Sequence, residues 1–170
     1  TAHILEILAK HNVKVTFFMT GGWIEKYPED VKAIAAAGHD LANHSENHKQ
    51  MSKLSANDCA DELLKPHEKV KALTGIDMTL FRPPYGRTWW WQRKSIAKSG
   101  DQIYLWNVLT HDYSANQTPE RMLKTIRRYT RNGSIINFHD SIKSNERMLA
   151  TLPKAIEYLL SQGYTLLPLQ

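Results

Sequence analysis

Apolar positions in this chain alternate between two rhythms. Between Ala2 and His11, Ile4, Leu5, Ile7 and Leu8 recur at helical spacing, and Val13-Lys14-Val15-Thr16-Phe17-Phe18-Met19 is then an apolar, β-branched run that stops at Gly21-Gly22. That is the pattern of a helix, a buried strand and a turn. Pro28 predicts the first turn of a helix over Glu29 to Ala37, closed by Gly38, and His39 to Asn43 predicts a short strand. Ser55, with Asp58 three residues on, predicts a capped helix to about Leu73 that stops at Thr74-Gly75, and Pro66 is expected to kink or split it. Further on, the pattern predicts strands over Met78 to Phe81, Ile103 to Val108, Ser134 to Phe138 and Tyr164 to Leu169. Helices are predicted from Thr88 to Ser99, from Thr118-Pro119-Glu120 to Thr130, and from Glu146 to Ser161, with Pro153 near a helix start.

Strict alternation of strand and helix argues for one α/β domain over residues 1–170, built on a parallel sheet. A barrel is favoured over an open doubly wound sheet for two reasons. His44, His48, Arg82, Asp112 and His139 all follow predicted strands, the end where barrel enzymes carry their sites. No Gly-x-Gly-x-x-Gly fingerprint follows a strand.

Composition excludes more than it assigns. No run of about 18 apolar residues is present, so no membrane span is expected. Cys59 is the single cysteine; it rules out an internal disulfide and reads as a packing or surface residue of a helix. The net charge of +5 is spread along the chain. Arg121, Lys124, Arg128 and Arg131 read as a solvated helix face, so no nucleic-acid partner is expected; nothing in the pattern speaks to oligomeric state. Three adjacent tryptophans, Trp89 to Trp91, cannot share one helix face, so some are expected at the surface.

The candidate chemistry begins at His44-Ser45-Glu46-Asn47-His48. Two imidazoles four residues apart point the same way if the backbone takes a helical turn, a geometry that divalent metals accept. For the pair alone, metal ligation and chance proximity of two loop histidines both stand. Arg82-Pro83-Pro84-Tyr85-Gly86 continues neither strand nor helix and predicts a rigid loop at another strand end.

Taken together, His44-Ser45-Glu46-Asn47-His48, Arg82-Pro83-Pro84-Tyr85-Gly86, Trp106 with Asp112-Tyr113, and Ile135-Ile136-Asn137-Phe138-His139-Asp140 resemble, in order, the motifs of the polysaccharide deacetylases of the NodB-homology type, carbohydrate esterase family 4. The resemblance implies a distorted parallel (β/α) barrel and metal-dependent removal of acetyl groups from a polysaccharide or oligosaccharide. It gives His44 and His48 to a divalent ion, zinc first, with cobalt and nickel as alternatives. Arg82 would orient the catalytic base, His139 would be the general acid, and Asp112 would hold it. Pro83, Tyr85, Trp106, Tyr113 and Asn137 would contact substrate, the Tyr85 backbone helping to hold the oxyanion. The leading substrate is N-acetylglucosamine in peptidoglycan or chitin-like oligomers. O-acetyl xylan is the alternative within the family, and an inactive carbohydrate-binding module the alternative outside it. By family analogy the protein is secreted or belongs to the cell envelope.

The sequence departs from that family at its first motif. Thr-Phe-Asp-Asp-Gly-Pro, which supplies the base and a third metal ligand, is absent, and Thr1 to Lys10 matches the helix that follows it. The motif and the first barrel strand are therefore expected just before Thr1, and the 170 residues alone are expected to have little or no activity. Asn137 and Tyr113 are further departures, standing where an apolar residue and Trp are common.

Overall fold

The computed structural model describes residues 1–98 and 100–169. In chain order the elements are α1 (Ala2–Lys10), β1 (Thr16–Met19), α2 (Gly21–Lys26), α3 (Pro28–Ala36), β2 (Asp40–Asn43), α4 (Ala56–Thr74), β3 (Leu80–Phe81) and α5 (Trp90–Lys98). They continue with β4 (Gln102–Ile103), β5 (Val108–Leu109), α6 (Pro119–Tyr129), β6 (Ile136–Asn137) and α7 (Asn145–Ser161). The chain divides into two compact units: one joins Thr1–Lys14 to Trp106–Leu167, the other is Val15–Leu105 with the residues from Pro168 onward.

The second of these carries a parallel sheet in the order β1-β2-β3-β4. Its strands need no polar face, because helices flank them, and Leu41, Ala42, Leu80 and Phe81 are buried. Phe81 packs with Met51, Cys59, Leu63 and Ile96 in one core cluster. Burying a side chain of this kind contributes about 1.5–3 kcal/mol, so the end of β3 is a fixed point from which the next residue, Arg82, projects. The helices stop where the sequence says they must. Ser55 caps α4 by accepting the Asp58 N–H, and Gly75 ends it at φ 74°, a left-handed position that suits glycine.

The other unit pairs β5 with β6, in parallel, over a cluster of Val108, Ile126, Ala155 and Leu159 from β5, α6 and α7. Thr118 caps α6 by accepting the Arg121 N–H, with Pro119 in the first turn. Arg121, Lys124, Arg128 and Arg131 are all exposed, the solvated face that their spacing predicts.

The ladders form a four-stranded and a two-stranded parallel sheet, the parallel α/β arrangement that the sequence predicts, and among the described residues no ladder shows closure into a barrel. Several other expectations are corrected. The apolar run Ile103 to Val108 is not one strand: Gln102–Ile103 pairs with β3, while Val108–Leu109 pairs with β6. Tyr164 to Leu169 forms no ladder among the described residues; Tyr164 and Leu166 pack against the β5–α7 cluster, and Leu169 N–H donates to the Thr16 hydroxyl. Gly21-Gly22 opens α2, whose cap is Thr20, rather than making a turn. Pro66 does not split α4, and Pro153 lies inside α7 rather than near its start. Ser99, placed by pattern at the end of α5, lies outside the described residues.

Candidate active-site residues

The two histidines are brought together without a helical turn. β2 ends at Asn43, which is fully buried; its amide donates to the Leu63 carbonyl at 2.8 Å and its Oδ1 accepts the Ser45 N–H at 2.8 Å. Ser45, also fully buried, turns the chain at φ 69°, and its hydroxyl accepts the N–H of His48, itself at φ 55°. Left-handed backbone at non-glycine residues is costly and tends to sit where function requires it. The result sets the two imidazole centroids 4.9 Å apart at 73°.

His44 Nδ1 lies 2.6 Å from the Arg82 carbonyl oxygen. A carbonyl only accepts, so Nδ1 carries the proton and Nε2 of the neutral ring keeps the lone pair a metal needs. His48 meets the edge of Tyr85, centroid to centroid 5.1 Å, and Tyr85 adopts φ 60° and ψ 6° within the turn after Pro83. Among the described residues, no group of three His, Cys, Asp or Glu forms a complete metal-binding set. The histidines thus fit two positions of a divalent ion, one short of the three protein ligands usual in catalytic zinc sites.

Two supports of this loop carry no motif. Glu62, on α4 and nearly inaccessible, accepts from the Asn47 backbone N–H at 2.8 Å and from its amide at 3.0 Å, and pairs with Lys49 at 3.4 Å. Burial works against the Glu62 carboxylate, but the Asn47 hydrogen bonds and Lys49 outweigh it and hold its pKa below the ordinary value. Gly21 donates its N–H to the Ser45 carbonyl, and a Cβ on it would lie 1.6 Å from Glu46 Oε2, so a larger residue there would push the Glu46 carboxylate aside.

Glu62→Ala is expected to cost about 1–3 kcal/mol at pH 7, because the Asn47 N–H loses its buried acceptor. A carboxyl held low in the folded state stabilises above its unfolded pKa of about 4.3 and loses that contribution as pH falls through the folded value. The stability gap between wild type and variant should therefore shrink between pH 7 and pH 3. Urea unfolding at both pH values checks it, and a constant gap would contradict the assignment.

Arg82 follows β3 and is buried; its Nε donates to the Tyr104 carbonyl at 3.2 Å and its guanidinium lies 3.9 Å over the Phe18 ring. Burial pushes its pKa down to about 10. Pro83 is buried beside it.

In the other unit, β5 and β6 end three residues before Asp112 and two residues before His139. The pair they bring together is tightly bound. Asp112 has no exposed surface; its Oδ1 is 2.7 Å from His139 Nδ1, and its Oδ2 accepts the His139 backbone N–H at 2.6 Å. Arg147 Nε donates to the Asp112 carbonyl at 2.9 Å, and the buried Ser144 hydroxyl donates to the His139 carbonyl. Tyr113 stands edge-on to the His139 ring at 5.0 Å and 89°. Asn137 Nδ2 is 3.3 Å from His139 Nε2, and the Asn137 carbonyl accepts the Thr110 hydroxyl at 2.8 Å. Trp106 is half-buried ahead of β5. Arg147, Ser144 and Thr110 have no sequence signature; only the three-dimensional fold brings them to the pair.

The polysaccharide deacetylase family profile matches residues 1–104, and the chain belongs to that family, the carbohydrate esterase family 4 or NodB-homology domains. Among its relatives is a peptidoglycan-N-acetylglucosamine deacetylase of Listeria monocytogenes, 33% identical over 96% of this chain and 34% of the relative. The solved Bc1960 peptidoglycan N-acetylglucosamine deacetylase superimposes with a TM-score of 0.95 at 29% identity, over 99% of this chain and 78% of that one. A family 4 pseudoenzyme from Bacillus anthracis superimposes with a TM-score of 0.91 at 30% identity, over 99% of this chain and 58% of that one. The chain spans 62%, 50% and 34% of the length of three curated relatives that it matches.

Proposed function

We propose that this chain is the catalytic part of a metal-dependent deacetylase acting on N-acetylglucosamine in peptidoglycan or a chitin-like polymer, on the distorted parallel (β/α) barrel its family implies. The observation that carries this reading is the Asp112–His139 pair. With Nδ1 and the backbone N–H both bound to a buried carboxylate, His139 has Nε2 as its proton-transfer atom. Amide hydrolysis needs such a group, because an amine leaves only when protonated, and a positioned acid contributes roughly a hundred- to ten-thousand-fold. Asp112 would stabilise the imidazolium that makes His139 an acid.

His44 and His48 would hold the divalent ion, zinc first, which when bound activates water and polarises the acetyl carbonyl. The Tyr85 backbone would support the oxyanion, Arg82 and Pro83 would fix the loop that carries it, and Trp106 and Tyr113 would stack on sugar faces. A peptidoglycan substrate would place the protein in the cell envelope or outside the cell.

A second reading, an inactive carbohydrate-binding module, is favoured by the two-histidine donor set among the described residues and by the family 4 pseudoenzyme that superimposes on the chain. Acetate release from N-acetylglucosamine oligomers and from acetylated xylan, with zinc added and His139→Ala as control, separates the readings. Release from the former that vanishes in the control supports the deacetylase reading. Preference for xylan would replace the substrate, and oligomer binding without release would establish the second reading.

A further inference from the structure

We propose that Asn137 is a positioning residue that sets where His139 keeps its proton. The inference rests on the deacetylase reading for its catalytic meaning, but not for its geometry. Asn137 ends β6 and is buried, with its backbone held twice from the β5 side: the Thr110 hydroxyl donates to its carbonyl at 2.8 Å and the Thr110 N–H at 3.4 Å. Gln117 in turn donates to the Thr110 carbonyl at 2.5 Å, so the strand pair that presents Asn137 is braced from behind.

The side-chain amide reaches the ring nitrogen that Asp112 does not touch. Asp112 Oδ1 takes the Nδ1 proton, which leaves Nε2 of the neutral ring as an acceptor, and Asn137 Nδ2, 3.3 Å away, donates to it. His139 is thereby gripped at both nitrogens, by partners with opposite preferences. The carboxylate favours the imidazolium; an amide N–H aimed at Nε2 favours the ring without a proton there. To act as an acid at Nε2, His139 must break the Asn137 bond or the amide must turn over and offer Oδ1. An apolar residue at this position offers Nε2 no donor, so the Asn137 amide as placed favours the ring without a proton on Nε2.

The other titratable or charged groups around the ring in this unit are Tyr113, edge-on at 5.0 Å, with His111 on its hydroxyl at 3.2 Å; Arg147, which reaches the Asp112 carbonyl; and Asp140, next in the chain, which accepts from the Thr1 hydroxyl at 2.7 Å. None of these bonds Nε2 in place of Asn137.

The test is an ¹⁵N-resolved NMR titration of the His139 ring in this chain, for wild type, Asn137→Leu and Asn137→Ala. Both variants remove the donor, and Ala is smaller than the residue it replaces, so one of them carries the test if Leu fails to fold. The expected result is an upward movement of the His139 protonation midpoint by about 0.5–1 pH unit, the size of one lost hydrogen bond. In wild type at high pH, Nε2 should also show the shift of a hydrogen-bonded lone pair, absent in the variants. No movement, or movement to lower pH, overturns the proposal. Because the readout is the ring itself, its failure is separate from a failure to release acetate. Where acetate is released, the alkaline limb of kcat should move upward in step.

Discussion

Asp112→Asn is expected to lower whatever acetate release the wild-type chain shows by roughly two to four orders of magnitude while leaving the fold nearly as stable as wild type. The asymmetry follows from the two jobs of this buried carboxylate. One oxygen holds the His139 backbone N–H, the other the ring at Nδ1. Asparagine keeps an oxygen for the backbone, so that buried N–H stays satisfied, but it presents an N–H to Nδ1. The neutral ring must then place its proton on Nε2 and accept at Nδ1, and the negative charge that favoured the imidazolium is gone. Such a ring is a weak acid in the wrong tautomer. Asp112→Ala should lose the same activity and in addition about 1–3 kcal/mol of stability, because the backbone N–H is left without an acceptor. Acetate release, urea unfolding and ring ¹⁵N shifts on both variants separate the two jobs. Wild-type release by Asp112→Asn, with an unchanged tautomer, would sink the acid assignment.

How far the chain can be read without coordinates depends on which interactions are local. Periodicity and caps placed α1, α3, α4 and α6 well, because a helix declares its buried face and its ends within a few residues. Strand ends were nearly as legible, and with them the positions of His44, Arg82, Asp112 and His139. The failures are non-local. Ile103 to Val108 is one apolar run, yet its two ends pair with different strands, and only tertiary structure decides where pairing stops. Pro66 removes a donor from α4, a local cost of about 3 kcal/mol, but the helix continues because Cys59, Leu63 and Val70 bury the same face on both sides of it. The turn that joins His44 to His48 is not a helical one. It is instead built on left-handed Ser45 and His48, braced by Asn43 from behind and by Glu62 from fifteen residues away, and neither brace has a signature in the sequence.

That turn makes the metal assignment a sharp test. His44→Ala and His48→Ala are each expected to weaken zinc binding by more than about a hundredfold, since losing only the hydrogen-bond partner of a ligating histidine costs 10–100-fold. With two candidate ligands in the described chain, removing one leaves a single imidazole, which binds no better than a free side chain. Folding should survive in both variants, because the loop is held by backbone and by Asn43, Ser45 and Glu62 rather than by the rings. His44→Gln refines the test. Its amide N–H can still meet the Arg82 carbonyl, so the loop contact is preserved while the ligand nitrogen is lost. If zinc affinity, measured by calorimetry at pH 7, falls in His44→Ala but not in His44→Gln, the histidine matters as a brace and not as a ligand. If it falls in both, and equally in His48→Ala, the pair is the metal site, and the protein's own contribution to it is the neutral Nε2 that the Arg82 carbonyl enforces.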